Sequence, residues 1–231
     1  NVSLDRWKSS PYWTEKSETP SSPVFVNGKA QFPEGNFLIA DSALRNAHFM
    51  TVLETKDFDL GQHVNVHLGF YSHYAQNQDN SANVEYSIDG GETWLPVIYM
   101  LDQDDVVAGD DGTADAVATF ENAQDDVALV DNLLYQDEDD WWDVEPIDEP
   151  IGGSYGAFIG APIDESLAPH ISGRVNDSQT ESKRYELHRL PEADNQAKVR
   201  IRFAMNGTWS WYWAVDNFGL YSIEETPTTA P

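Results

Sequence analysis

The chain has no cysteine in 231 residues, which excludes disulfides, thiolate catalysis and cysteine-ligated zinc. A eukaryotic extracellular domain of this size usually carries bridges, whereas an exported bacterial protein often does without them. Cations are scarce as well. Thirteen Lys and Arg stand against forty Asp and Glu, a formal charge of −27. Such a surface repels phosphate backbones and anionic membranes, so nucleic acid and lipid are poor partners. It favours divalent cations, stays soluble in salt, and suits a saline medium. No run approaches the roughly 18 apolar residues of a membrane span, so a soluble domain is expected. There is no initial methionine and no signal-peptide pattern, so we expect a processed or excised module.

Aromatics and alternation are abundant. Trp 8, Tyr 10 and Phe 10 supply core material. "GNFLIADSA" (35–43), "HFMTVLET" (48–55) and "HVNVHLGFYSHY" (63–74) read as strands, the last with Val64, Val66, Leu68 and Phe70 on one face. In "NVEYSIDGGETWLPVIYM" (83–100), Val84, Tyr86 and Ile88 alternate, Asp89-Gly90-Gly91 turns, and Trp94 opens the return strand. "AKVRIRFAMNG" (197–207) predicts another strand, followed through an Asn206-Gly207 turn by the closing strand of a second hairpin, 209–222. The expected fold is all-β: an antiparallel sandwich of the jelly-roll kind, a single domain over 1–223. An acidic insertion spans about 101–150, with an irregular helical stretch in "ATFENAQDDVALVDNLLY". Residues 224–231, "EETPTTAP" from its first acid onward, predict a Pro/Thr linker to further domains.

Several of these segments resemble MAM domains. "GNFLIADSA" looks like their Gly-aromatic-apolar-acid-Ser strand, "FDLGQHVNVHLGFYSHY" like the strand pair that follows, and "AKVRIRFAMNG…WAVDNFGLY" like their closing strands. "VEYSIDGGETW" is similar to a hairpin of bacterial MAM-like jelly rolls, including cleaved adhesins and modules attached to secreted hydrolases. The likeness covers about 35–100 and 197–222. It lacks the cysteines of animal members and adds the insertion. It implies a secreted or cell-surface, non-catalytic jelly roll for adhesion or glycan binding, often with a structural calcium.

Calcium has candidate ligands in Asp41, at the end of an apolar strand, and Asp216, inside one, with Asn217 beside it. A carboxylate in such a place needs donors or a cation. In related jelly rolls the ion joins an early strand to the last, and Asp41 and Asp216 match those positions; the alternative is that Asp216 accepts backbone N–H groups. The loop "GDDGTAD" and the run Asp137–Asp140 read as solvated acid. For ligand, the tryptophans are the main candidates. Trp209 and Trp211 share a strand face with Trp213, as a sugar-stacking platform or as core. Adjacent Trp141 and Trp142 point opposite ways on an extended chain, so one ring is free to form a binding wall with Tyr135, or to pin the insertion to the sandwich. No serine elbow, zinc-binding helix or phosphate loop is present. "RYELHRL" (184–190) groups Arg184, Glu186 and His188 on one face, either the cluster a polysaccharide lyase uses or a polar outer face. The expected function is a non-catalytic polysaccharide- or cell-surface-glycan-binding module of a larger secreted bacterial protein. The alternatives are a protein-binding adhesive domain, or a lyase or hydrolase.

Overall fold

The computed structural model describes residues 7–9, 13–16, 25–26, 29–30, 37–41, 48–77, 80–125, 159–178, 182–208 and 212–223. Thirteen strands are present among them. They are β1 (Trp7–Ser9), β2 (Trp13–Lys16), β3 (Phe25–Val26), β4 (Lys29–Ala30), β5 (Phe37–Asp41), β6 (His48–Thr55) and β7 (Val66–Tyr74). Then follow β8 (Ser81–Ser87), β9 (Leu95–Asp102), β10 (Ile171–Arg174), β11 (Lys183–Arg189), β12 (Arg200–Thr208) and β13 (Tyr212–Ser222). Among the described residues one α-helix, α1 (Ala116–Asp125), lies between β9 and β10, together with short 3-10 helices at Gln103–Asp105 and Glu165–His170. A six-stranded sheet runs β1-β6-β12-β8-β9-β10 and a five-stranded sheet β11-β7-β13-β5-β2, with β3 and β4 paired separately. From β5 onward the chain mostly alternates between the two large sheets, as in a jelly roll. All pairs are antiparallel except β9 with β10. The expected all-β sandwich is the observed fold.

Alternation fills the space between the sheets. Leu68 and Phe70 of β7, Val84 of β8, Ile201 and Phe203 of β12, and Trp213 of β13 are buried in one core. Phe203 is central, edge-on to Phe70 at 5.1 Å and tilted against Trp213 at 5.6 Å. The Trp213 indole N–H donates to Ser72 Oγ at 3.0 Å, so its one polar atom is satisfied inside the core.

Three local expectations need correction. Val64 lies before β7 and is exposed, because the strand starts only after Asn65, whose φ is 56°. Asn206-Gly207 is not a turn: Asn206 pairs with Met50, Gly207 with Phe49 and Thr208 with His48, so sheet pairing overrides the turn signal. β12 and β13 therefore form no hairpin; they lie in opposite sheets. The hairpin of β8 and β9 does form. Gly90 and Gly91 take φ of 83° and 94°, and Asp89 Oδ1 accepts the N–H groups of Glu92 and Thr93 at 2.9 and 3.0 Å.

The outer face of the six-stranded sheet is covered. Ala116 and Phe120 of α1 pack with Leu167, Ile159 and Ala161 on Tyr99 and Leu101, so the described part of 101–150 contributes to a second core cluster. Glu85, wholly buried there, accepts from Tyr99 Oη at 2.6 Å, Gly160 N at 2.9 Å and Ala161 N at 3.2 Å. Its other oxygen pairs with the Arg202 guanidinium, which lies 4.0 Å over the Trp94 ring. One carboxylate thus fastens the segment 159–161 to the sheet.

Candidate binding face

The outer face of the five-stranded sheet is divided. At one end Phe37, Ile39, Tyr212 and Ala214 form a buried cluster. At the other the register sets Tyr185 of β11 beside Tyr71 of β7, and Tyr71 beside Asp216 of β13. Leu187 then faces Gly69, Gly69 faces Gly219, and Tyr221 follows beside His67. Tyr71, Tyr185, Leu187 and Tyr221 are 41, 50, 48 and 45% exposed. Of the seven large hydrophobic residues exposed among those described, these are four, and Val64 and Ile223 sit at the end of the same strands. Exposed apolar surface is gathered on one face, and such gathering marks a contact site.

Two glycines set the geometry. A Cβ on Gly219 would lie 2.6 Å from the Tyr221 hydroxyl, and one on Gly69 would strike the Tyr185 hydroxyl and lie 3.0 Å from Tyr221 Cε2. The rings therefore lie low over a floor without side chains. Tyr71 and Tyr185 have ring centroids 5.1 Å apart at 60°, and the Tyr185 hydroxyl hydrogen-bonds Tyr221. Partial burial, then the neighbouring Tyr221 and Tyr71, push the Tyr185 phenol up, so it stays neutral at physiological pH. The shelf offers apolar ring faces edged by hydroxyls, which suits the C–H faces and hydroxyls of a sugar.

Asp216 borders this shelf at 3% exposure, and its Oδ1 accepts the Asn217 N–H at 2.7 Å. Burial pushes its carboxyl up and that N–H pulls it back, with the net shift upward. Asn217 is exposed with φ 49°, in the irregularity between Asp216 and Gly219. Asp41 is buried at the end of β5, opposite Tyr212. Asp216 lies four residues further along β13, about 13 Å at a strand's rise, so Asp41 and Asp216 do not share one ion. The register therefore does not bring the two expected calcium ligands together. Among the described residues no group of three or more acidic or histidine side chains could hold a metal.

The other candidates fall differently. Trp141, Trp142, Tyr135, Trp209 and Trp211 lie outside the described residues. Trp213 is core. In β11 the strand faces are the reverse of a polar outer side. Glu186 is buried, and its carboxylate takes Arg174 Nη2 at 2.8 Å and His188 Nε2 at 3.2 Å, while Tyr185 and Leu187 face out. Burial pushes the Glu186 carboxyl up, but the His188 and Arg174 hydrogen bonds and charges bring it down to about 2. Glu54 and Glu85 are likewise held by Arg200 and Arg202. The shelf tyrosines are not marked by periodicity, because the apolar beat of β7 runs through Leu68 and Phe70. Tyr71 falls off that beat, and Gly69 inside a strand was the available signal.

No family model and no curated protein matches the chain. Solved structures with some likeness include the carbohydrate-binding module TmCBM61 in complex with beta-1,4-galactotriose, at 10% identity and a TM-score of 0.44, covering 95% of this chain and 90% of that one. The K1 cleaved adhesin domain of Lys-gingipain from Porphyromonas gingivalis W83 matches at 13% identity and a TM-score of 0.37, over 94% of this chain and 99% of that one. An enzymatically active domain of bacteriophage CBA120 tailspike protein 4 matches at 9% and 0.38, over 96% of this chain but 20% of that one. At such scores the likenesses carry no functional weight, and function is read from this chain's own residues.

Proposed function

We propose that this chain is a non-catalytic carbohydrate-binding module, a MAM-like jelly roll belonging to a secreted or surface-attached bacterial protein, with its ligand face on the outer side of β7, β11 and β13. The observation that carries this is the shelf of Tyr71, Tyr185 and Tyr221, three exposed rings laid over Gly69 and Gly219. The committed state of Glu54, Glu85 and Glu186, each ion-paired to an arginine, supports binding over hydrolysis. Calcium, if it contributes, is held at Asp41 or at Asp216 with a separate oxygen set for each. Affinity electrophoresis against a polysaccharide panel, with wild type and Tyr185→Ala, tests the proposal. Retardation by a polysaccharide that Tyr185→Ala loses, with no new reducing ends or unsaturated products, supports it. Product release contradicts it.

A second reading has its own observation. Leu187, Val64 and Ile223 extend the shelf with aliphatic surface, which favours a protein partner over a sugar. No retardation by any polysaccharide would favour that adhesive role.

A further inference from the structure

One cation stands beside the shelf without a carboxylate. The outward residues of β11 are Lys183, Tyr185, Leu187 and Arg189. Arg189 is occupied by Asp194, as Arg174, Arg200 and Arg202 are by their own acids. The Lys183 ammonium makes no ion pair or hydrogen bond among the described residues. Lys56 and Lys198 also lack an ion pair among the described residues, but Lys183 is the lysine that the register of β11 places on the same strand face as the exposed Tyr185. The outward positions of β7 and β11 carry no acid at all, and Asp216, the acid that β13 contributes beside Tyr71, is almost wholly buried. The face is therefore poor in the charge that dominates the rest of the molecule.

Resting on the proposed sugar-binding role, we infer that the ligand is a linear anionic polysaccharide, its carboxylate or sulfate group paired with Lys183 while its rings stack on Tyr185, Tyr71 and Tyr221. Spacing supports this. Lys183 and Tyr185 are two residues apart on one strand face, about 7 Å, the separation between a stacked sugar ring and an acidic group on the adjoining unit. From Lys183 to the row of Arg189 and His67 is six residues, about 20 Å, so several units of an extended chain fit along the strands. Burial lowers the Lys183 ammonium's pKa, as expected for a charge set against the sheet instead of loose in solvent.

The charge of −27 gives this inference an unusual signature. Whole-molecule repulsion of a polyanion is long-ranged and is screened first as the Debye length falls from about 30 Å at 0.01 M to about 8 Å at physiological strength. Contact between Lys183 and an acidic group is short-ranged and survives that change. Affinity for an acidic polymer should therefore rise between low and physiological salt, opposite to the fall of a basic protein on a polyanion.

The experiment measures affinity for polygalacturonate (carboxylate), carrageenan (sulfate) and neutral galactan at the two salt levels, with wild type, Lys183→Gln and Tyr185→Ala. Wild type should bind one of the acidic polymers about tenfold tighter than galactan, with affinity rising with salt; which of the two identifies the anion. Lys183→Gln should bring that polymer toward galactan with melting temperature unchanged, and Tyr185→Ala should weaken every polymer. Galactan bound as tightly as the acids, or a preference that survives Lys183→Gln, overturns the anionic ligand but leaves the shelf standing if Tyr185→Ala still loses binding. Binding indifferent to Tyr185→Ala, or absent for all three polymers, overturns both.

Discussion

Removing the Glu85 carboxylate should be among the most damaging single changes outside the hydrophobic core. It is wholly buried and accepts from Tyr99 Oη, Gly160 N, Ala161 N and two nitrogens of Arg202. In Glu85→Ala the Arg202 charge stays in a site where its side chain is only 12% exposed, and the Tyr99 hydroxyl loses its acceptor. Truncating one partner of a buried ion pair costs about 3–5 kcal/mol, whereas replacing both with apolar residues of similar size is often near neutral. Glu85→Ala should then lower the urea midpoint by more than about 1 M, while Glu85→Leu with Arg202→Met recovers most of the loss. Amide exchange at Gly160 and Ala161 should accelerate in the single variant, because both N–H groups lose their acceptor. A loss under about 1 kcal/mol, or effects of Glu85 and Arg202 that simply add, would refute the network as the fastening of 159–161.

Other outcomes follow from the same structure. Phe203→Ala empties the centre of the sandwich and should cost about 3–5 kcal/mol, of order 10 °C in melting temperature, by calorimetry. His73 is buried against Tyr212, and burial, then Lys183, lowers its pKa from 6.5 to about 4. The unfolded chain binds this proton more readily, so the stability from His73 is complete above about pH 6.5 and is lost as pH falls toward 4. The full loss is about 3 kcal/mol, and in His73→Phe that part of the acid sensitivity should vanish from pH-dependent urea melts. Gly69→Ala should displace Tyr185 and Tyr221 and weaken polysaccharide binding in affinity electrophoresis, with a smaller effect on melting. Because the register separates Asp41 from Asp216, Asp41→Asn and Asp216→Asn should alter any calcium-dependent melting shift independently. Identical loss in each single variant and in the double would point to a shared ion after all.

Much of the sandwich was legible because its core strands alternate. Leu68 and Phe70, Ile201 and Phe203, and Val84 and Tyr86 all point inward as their spacing predicts. Pairing between distant strands was not legible. Asn206-Gly207 has the composition of a turn, yet Met50 and Phe49 of β6 hold it extended, and only the tertiary fold supplies them. The binding face was hidden for a related reason. Period two separates the sides of β11 but does not say which faces the core, and the charged side is inward because Arg174 from β10 and His188 compensate Glu186. Helix α1 is faint in the sequence because, among its described side chains, Ala116 and Phe120 supply its part of the apolar cluster.

The central claim, that sugar rests on the tyrosine shelf, is tested most directly by hydroxyl-radical footprinting of the wild-type chain with and without a saturating polysaccharide that retards it. Protection of Tyr71, Tyr185 and Tyr221 together, with Val175 unchanged as an exposed control, is the predicted result. Unaltered oxidation of those tyrosines, with protection at Trp141, Trp142, Trp209 or Trp211, would contradict it and move the ligand to the tryptophans.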